Sequence, residues 1–387
     1  MRGSGLRAVV MVSVALGAGC DFPLPTAIGG HGPDASPDAP LVPPAAGPSC
    51  QGLSTTCGQN RSDSCCNPGS AVVGGTYYRS YDVAVDSSSG DQRYPATVST
   101  FWLDKYEVTV GRFRAFVNAN KGTQASPPAN GSGAHAAIAG SGWNMSWDAN
   151  LTLDKAELIT AVKCSPTYQT WTDIPGANEA RPMNCITWYE AMAFCIWDGG
   201  YLPTEAEWNY AAAGGNEQRA YPWSIPAGSL ELTASRASYS DGTDCVGDGM
   251  PGCAVTDLVQ VGSKPMGDGR WGQSELAGNV WEWTLDLYGA YISPCVDCAS
   301  TSSGTHREFR GGGFRLGASQ LRVGNRANPS PPPPTPATAR RVVAPALGFV
   351  ARDRRIRHEV SVRGRGATAD GRAVWLLPTR IRYQVGV

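Results

Sequence analysis

A loop-rich fold, built from short elements around aromatic anchors, is what this 387-residue chain predicts. Two observations carry that expectation. Glycine (47 residues) and proline (29) punctuate the chain too often for long helices, while 12 tryptophans supply large side chains around which turns can pack. The second observation is residues 181–215, RPMNCITWYEAMAFCIWDGGYLPTEAEWNYAAAGG, which hold two short helices with start and stop signals in place. Thr187 caps a helix through Trp188, Ala191, Phe194 and Cys195, whose spacing of three and four turns one apolar face inward. Gly199 and Gly200 stop it, because glycine tolerates the left-handed backbone that such an ending needs. Thr204 and Glu207 form a T-x-x-E capping box at the head of a second helix through Trp208, Tyr210 and Ala211, and Gly214 and Gly215 close it.

The same string, W-Y-E-A-x-A-F-C-x-W followed by L-P-T-E-A-E-W-x-Y-A-A-x-G-G, resembles the formylglycine-generating-enzyme (sulfatase-modifying factor) family. Further matches follow in that family's order. Residues 71–82 (AVVGGTYYRSYD) resemble its opening V-P-G-G-T-F strand, and residues 101–116 (FWLDKYEVTVGRFRAF) its F-x-x-D-x-x-E-V-T segment. Tyr221-Pro222-Trp223 is similar to its Y-P-W-G turn, residues 276–283 (LAGNVWEW) to its G-N-V-W-E-W core, and residues 309–314 (FRGGGF) to its R-G-G-S-W strand. The resemblance covers residues 71–328 and implies an α+β, loop-rich variant of the C-type lectin fold. Trp188, Trp197, Trp208, Trp281 and Trp283 then read as core anchors, and Asn279 as a residue that ties down a loop.

Outside that span the organisation changes. Residues 1–19 read as a signal peptide: Arg2 and Arg7, a short apolar run from Ala8 to Leu16, and small residues before Cys20. The run is too short to span a bilayer. Small residues before a cysteine resemble a bacterial lipobox, which makes Cys20 the expected lipidation site. The rival is an ordinary secretory signal with a chance cysteine. Residues 20–49 form a tether, eight prolines among Gly, Ala and Asp, that cannot build a core. The expectation is an exported protein, lipid-anchored in the bacterial cell envelope.

Eleven cysteines follow Cys20, a density that behind a signal peptide reads as a disulfide framework. Residues 50–70 should form a small Cys-rich cap ahead of the main domain, residues 71–351. Cys245 with Cys253 reads as a loop staple. Cys295 and Cys298 read as a structural bridge, since neither a second C-x-x-C for zinc nor a thioredoxin-like context accompanies them. An odd count leaves at least one thiol over. Residues 352–387 are arginine-rich and match nothing in the family. A shifted reading frame and a genuine basic tail both account for them. Residues 347–350 (LGFV) resemble a degraded form of the family's closing strand. A net charge of −1 gives no electrostatic case for nucleic acid.

The resemblance implies a chemistry and then removes it. Family oxidases bind copper(I) through two cysteines placed shortly after the R-G-G-S strand, soft thiolates suited to that ion. The corresponding residues 315–326 (RLGASQLRVGNR) contain no cysteine, and none follows Cys298, so copper is not expected. A related branch uses a three-histidine iron site, which four scattered histidines do not provide. No catalytic residue is assigned. Structural calcium is expected instead, carried over from the family's G-N-V-W-E-W turn onto Glu275, Gly278, Val280 and Glu282, with Glu275 standing where Asp or Asn is usual. At a second family calcium site the expected Asn is Ser238, within Ala237-Ser238-Tyr239, so that site should be weak or absent. The expected function is an envelope-anchored, non-catalytic or repurposed member that binds a protein or glycan. Its rival is a formylglycine-generating oxidase acting on a sulfatase cysteine.

Overall fold

The computed structural model describes residues 42–84, 92–327 and 350–351. The Cys20 and signal expectations, residues 20–41 of the expected tether and all of the basic tail lie outside them; the last residues of the expected tether are described, and there Pro48–Cys50 form a turn of 3-10 helix with Ser49 buried. Among the described residues, strands are short: β1 (Thr55–Cys57), β2 (Asp63–Ser64), β3 (Gly75–Tyr78), β4 (Pro95–Val98), β5 (Gly200–Tyr201), β6 (Glu282–Leu287), β7 (Cys295–Val296), β8 (Arg307–Arg310) and β9 (Val350–Ala351). The helices are α1 (Val110–Asn118), α2 (Lys155–Ala161), α3 (Trp188–Trp197) and α4 (Glu205–Ala212). This is the α+β, loop-rich architecture expected. No helix among the described residues is long and apolar enough to cross a membrane.

Local chemistry explains where the helices start. At α3, Thr187 accepts from the Glu190 N–H while Glu190 reaches back to the Thr187 N–H; Thr204 and Glu207 do the same at α4. Each box satisfies two of the amides that a helix start leaves without partners. The α3 ending is finer than the Gly-Gly reading: Gly199 alone takes the left-handed conformation (φ 95°), and Gly200 already belongs to β5. Gly214 and Gly215 are both left-handed after α4. α3 is also buried on more than one face, Met192 and Ala193 as fully as Ala191 and Phe194. It is a core helix with structure packed around it, which an amphipathic pattern does not convey.

Four small sheets hold the rest. β4 sits between β3, antiparallel to it, and β7, parallel to it. β6 pairs antiparallel with β8, setting Glu282 opposite Arg310 and Trp283 opposite Phe309. β1 pairs with β2, and β5 with β9. One apolar core gathers α1, α2, α3, β6 and β8 around Phe113, Phe116, Phe194, Trp188 and Trp283; a second packs α4 on β3 and β4 through Tyr77, Trp208 and Tyr210. Trp188, Trp208 and Trp283 are buried as anchors, whereas Trp197 and Trp281 pack at core margins.

Five disulfides staple the loops: Cys50–Cys66, Cys57–Cys65, Cys164–Cys185, Cys245–Cys253 and Cys295–Cys298. Among the described residues, Cys195, buried in α3, is the cysteine left outside them. The cap is also tied to the domain by the Asp63–Lys105 ion pair at 2.9 Å, and the residue ahead of it joins a buried charged network. Arg112 of α1 lies 2.7 Å from Asp198 and 2.6 Å from Asp104, and its Nε donates to Ser49 Oγ at 3.0 Å. Ser49 also donates to Asp198, so the residue just ahead of the cap, α1 and the end of α3 share one buried network.

Candidate metal centre

The turn between residues 275 and 282 is wound by three left-handed positions, Glu275 (φ 56°) and the adjacent pair Gly278 (φ 88°) and Asn279 (φ 57°). Only glycine fits at 278, because an added Cβ would run into the Ser238 carbonyl. The Gly278 N–H donates to Gly311 O and the Asn279 N–H to Ser238 O, which clamps the turn against the Arg-Gly-Gly strand. Asn279 is the loop tie expected of it. Its Oδ1 accepts from the Val259 N–H at 3.0 Å, and its Nδ2 donates to Glu107 at 2.6 Å.

Three buried carboxylates surround this turn. Glu275 accepts the Gly262 N–H on both oxygens, at 2.9 and 3.0 Å. Glu282 accepts the Trp208 indole N–H at 2.8 Å. Glu107, from the segment before α1, accepts from Asn279 and from the Val280 N–H. Burial pushes Glu275 and Glu282 up to about 8, and holds Glu107 well above the usual carboxylate range, with the charges of Glu275 and Glu282 adding to the effect. Glu107 is the residue that sequence reasoning missed. It sits in the E-V-T string that was recognised, but its partners lie some 170 positions away. A water-sized cavity lined by Asp104, Tyr106, Glu107, Ser274 and Glu282 abuts the cluster.

Three buried carboxylates whose charges oppose one another are stable as acids, or as ligands of a cation. Glu282, Glu275 and Glu107 offer hard oxygens of the kind calcium takes, and neither the Gly278 nor the Val280 carbonyl has a donor among the described residues. Among the described residues no three His, Cys, Asp or Glu side chains are grouped closely enough to hold a metal alone, so such a site would depend on those carbonyls. The second expected site differs. Ser238 Oγ donates to Asp257 O, which spends its side chain on the loop.

Residues 315–326, which the resemblance sets against the family's copper ligands, follow β8. Ala318–Leu321 form one turn of 3-10 helix, Val323 N donates to Ala220 O, and Arg310 donates to the carbonyls of Val323 and Asn325. The backbone of this stretch is thus held by Arg310 of β8. The Cys295 and Cys298 sulfurs are bonded to each other at the end of β7.

The capped helix pair, the G-N-V-W-E-W turn and the Arg-Gly-Gly strand define a sulfatase-modifying-factor scaffold. The model of the sulfatase-modifying factor enzyme 1-like domain matches residues 58–345, and the chain belongs to that family. It is 29% identical over 274 residues to a formylglycine-generating enzyme of Thermomonospora curvata, covering 63% of this chain and 81% of that protein. It is 27% identical to a hercynine oxygenase of Mycolicibacterium smegmatis, covering 65% of this chain and 55% of that one. It is 28% identical to the inactive C-alpha-formylglycine-generating enzyme 2 of Mus musculus, covering 50% of this chain and 60% of that protein. The family thus holds active and inactive members, and membership alone does not assign an activity.

Proposed function

We propose that this protein is a non-catalytic, repurposed member of the family, held in the bacterial envelope through Cys20 and binding a protein or glycan partner. The observation that carries the reading is the cysteine-free stretch 315–326, where the family's oxidases place both copper ligands. Copper(I) is a soft ion and needs soft donors. The two cysteines nearest in sequence, Cys295 and Cys298, are bonded to each other and supply no thiolate. Calcium has a structural part in this reading. Glu107, Glu275 and Glu282, with the Gly278 and Val280 carbonyls, would hold it, and it would supply positive charge to a buried acidic turn.

The rival reading, a formylglycine-generating oxidase, requires a copper centre. Titration of the purified protein with copper(I) against a chromogenic chelator separates the two. The expected result is no stoichiometric high-affinity binding. One copper per chain, lost in the Cys295→Ser/Cys298→Ser double variant, would favour the oxidase.

A further inference from the structure

Among the described residues, the buried arginines come with carboxylates, and the half-buried ones other than Arg307 have carboxylates or several carbonyls. Arg112 has Asp104 and Asp198, Arg114 has Glu179, Arg310 has Glu205 and Glu308, Arg322 has Asp82, and Arg79 has Glu205. Arg181 lacks a carboxylate but donates to the carbonyls of Val255, Thr256 and Leu258. Arg307, half-buried at the start of β8, makes no ion pair and has a single carbonyl partner among the described residues. Its guanidinium carbon lies 3.4 Å from the centre of the Trp188 ring and 5.2 Å from that of Trp147. It donates one hydrogen bond, Nη1 to Leu285 O at 2.9 Å, although a guanidinium carries five N–H donors. The acidic group facing it, Asp286, already accepts from the Glu205 and Ser300 amides, and the Tyr189 phenol is the other group acting on its charge. Burial lowers its pKa to about 10, the mark of a cation short of compensation.

The surroundings are aromatic and partly open. Trp147 and Tyr189 are half-buried and pack against Trp188, with ring centres 5.3 Å away in each case. Neither the Trp147 indole N–H nor the Tyr189 hydroxyl makes a hydrogen bond among the described residues. A cation lacking an anion, beside amphipathic rings with unused polar ends, suits a ligand that is acidic and has an apolar face of its own. A hexuronate answers that description: its carboxylate accepts from the guanidinium edge, and its C–H face lies on an aromatic ring. An acidic peptide offers the carboxylate but no such rigid face.

We propose that Arg307, Trp147 and Tyr189 form a binding site for an acidic saccharide, with a uronate carboxylate on the Arg307 guanidinium. This rests on the binding-protein reading and names the ligand class.

The test titrates the full exported chain with a short oligogalacturonate, the matching neutral galacto-oligosaccharide, and an oligoglutamate peptide, following tryptophan fluorescence and heat. Oligogalacturonate should bind at least tenfold more tightly than either comparator and weaken with salt. Arg307→Gln should lose at least tenfold at an unchanged fold by circular dichroism, and Arg307→Lys should lose less. Trp147→Ala, at a half-exposed position, provides a second reading should Arg307→Gln fail to fold. The site is overturned by no oligogalacturonate binding, by equal binding of the neutral sugar, by tighter binding of the peptide, or by undiminished binding in the folded variants. None of those results affects the copper titration, so the binding-protein reading stands or falls separately.

Discussion

Removing calcium should destabilise the protein, and the size of the effect follows from the buried turn. A ligand that binds only the folded state stabilises it by RT ln(1 + [L]/Kd), about 2.7 kcal/mol at roughly 100 times Kd. At about 2–4 °C per kcal/mol for a domain of this class, chelation should lower the melting temperature by about 5–10 °C. The effect should depend on pH with a definite sign. Without calcium, burial raises Glu275 and Glu282 to about 8, far above their unfolded values. The folded state then holds protons that the unfolded state has released, so stability in chelator should fall as pH rises from about 4.5 through 8. Calcium needs the ionised carboxylates, so its stabilisation should grow over the same range. Differential scanning fluorimetry in calcium and in chelator, at pH 5, 7 and 8.5, measures both. Glu282→Gln and Glu107→Gln should each remove most of the calcium response, and magnesium should substitute poorly because it demands a tighter octahedron. Melting curves that do not respond to chelator at any of these pH values would refute the metal assignment and return the three glutamates to structural acids.

Two further outcomes are expected. Wild-type protein should partition into detergent with the membrane fraction and Cys20→Ser should be released in soluble form; a fully soluble wild type would refute the anchor. His135 Nε2 donates to Glu207 at 3.2 Å, and although burial opposes its charge, the hydrogen bond and charge of Glu207 prevail and raise its pKa. That contribution is present below the unfolded value of about 6.5 and is lost as pH rises through the higher folded value, so wild type should lose more stability than His135→Gln between pH 6 and 8; parallel melting profiles would refute it.

What was legible in the sequence was local. Thr187, Thr204 and Glu207 act within three residues of themselves, so their caps could be read off the string. Cys245 with Cys253 and Cys295 with Cys298 are close in sequence, and short loops leave few other closures. What was not legible was long-range. Glu107 meets Asn279, and Arg307 meets Trp147 and Trp188, only because β6 and β8 carry the later segments back onto the helical core. The Cys164–Cys185 pairing, and the network joining Ser49 to Asp198, are decided by the same three-dimensional closure. Motif resemblance located the turn at Glu275, Gly278, Val280 and Glu282, but a third carboxylate from another motif had no sequence signal tying it to them.

The central claim is that this scaffold lacks the family's oxidation chemistry, and one measurement reaches it directly. The full chain, supplied with copper(I), reductant and oxygen, is incubated with a peptide carrying C-x-P-x-R, and the product is analysed by mass spectrometry. The account predicts that the cysteine remains a thiol, with no aldehyde above a protein-free control. Conversion of the peptide to its formylglycine form over several turnovers per chain would contradict it.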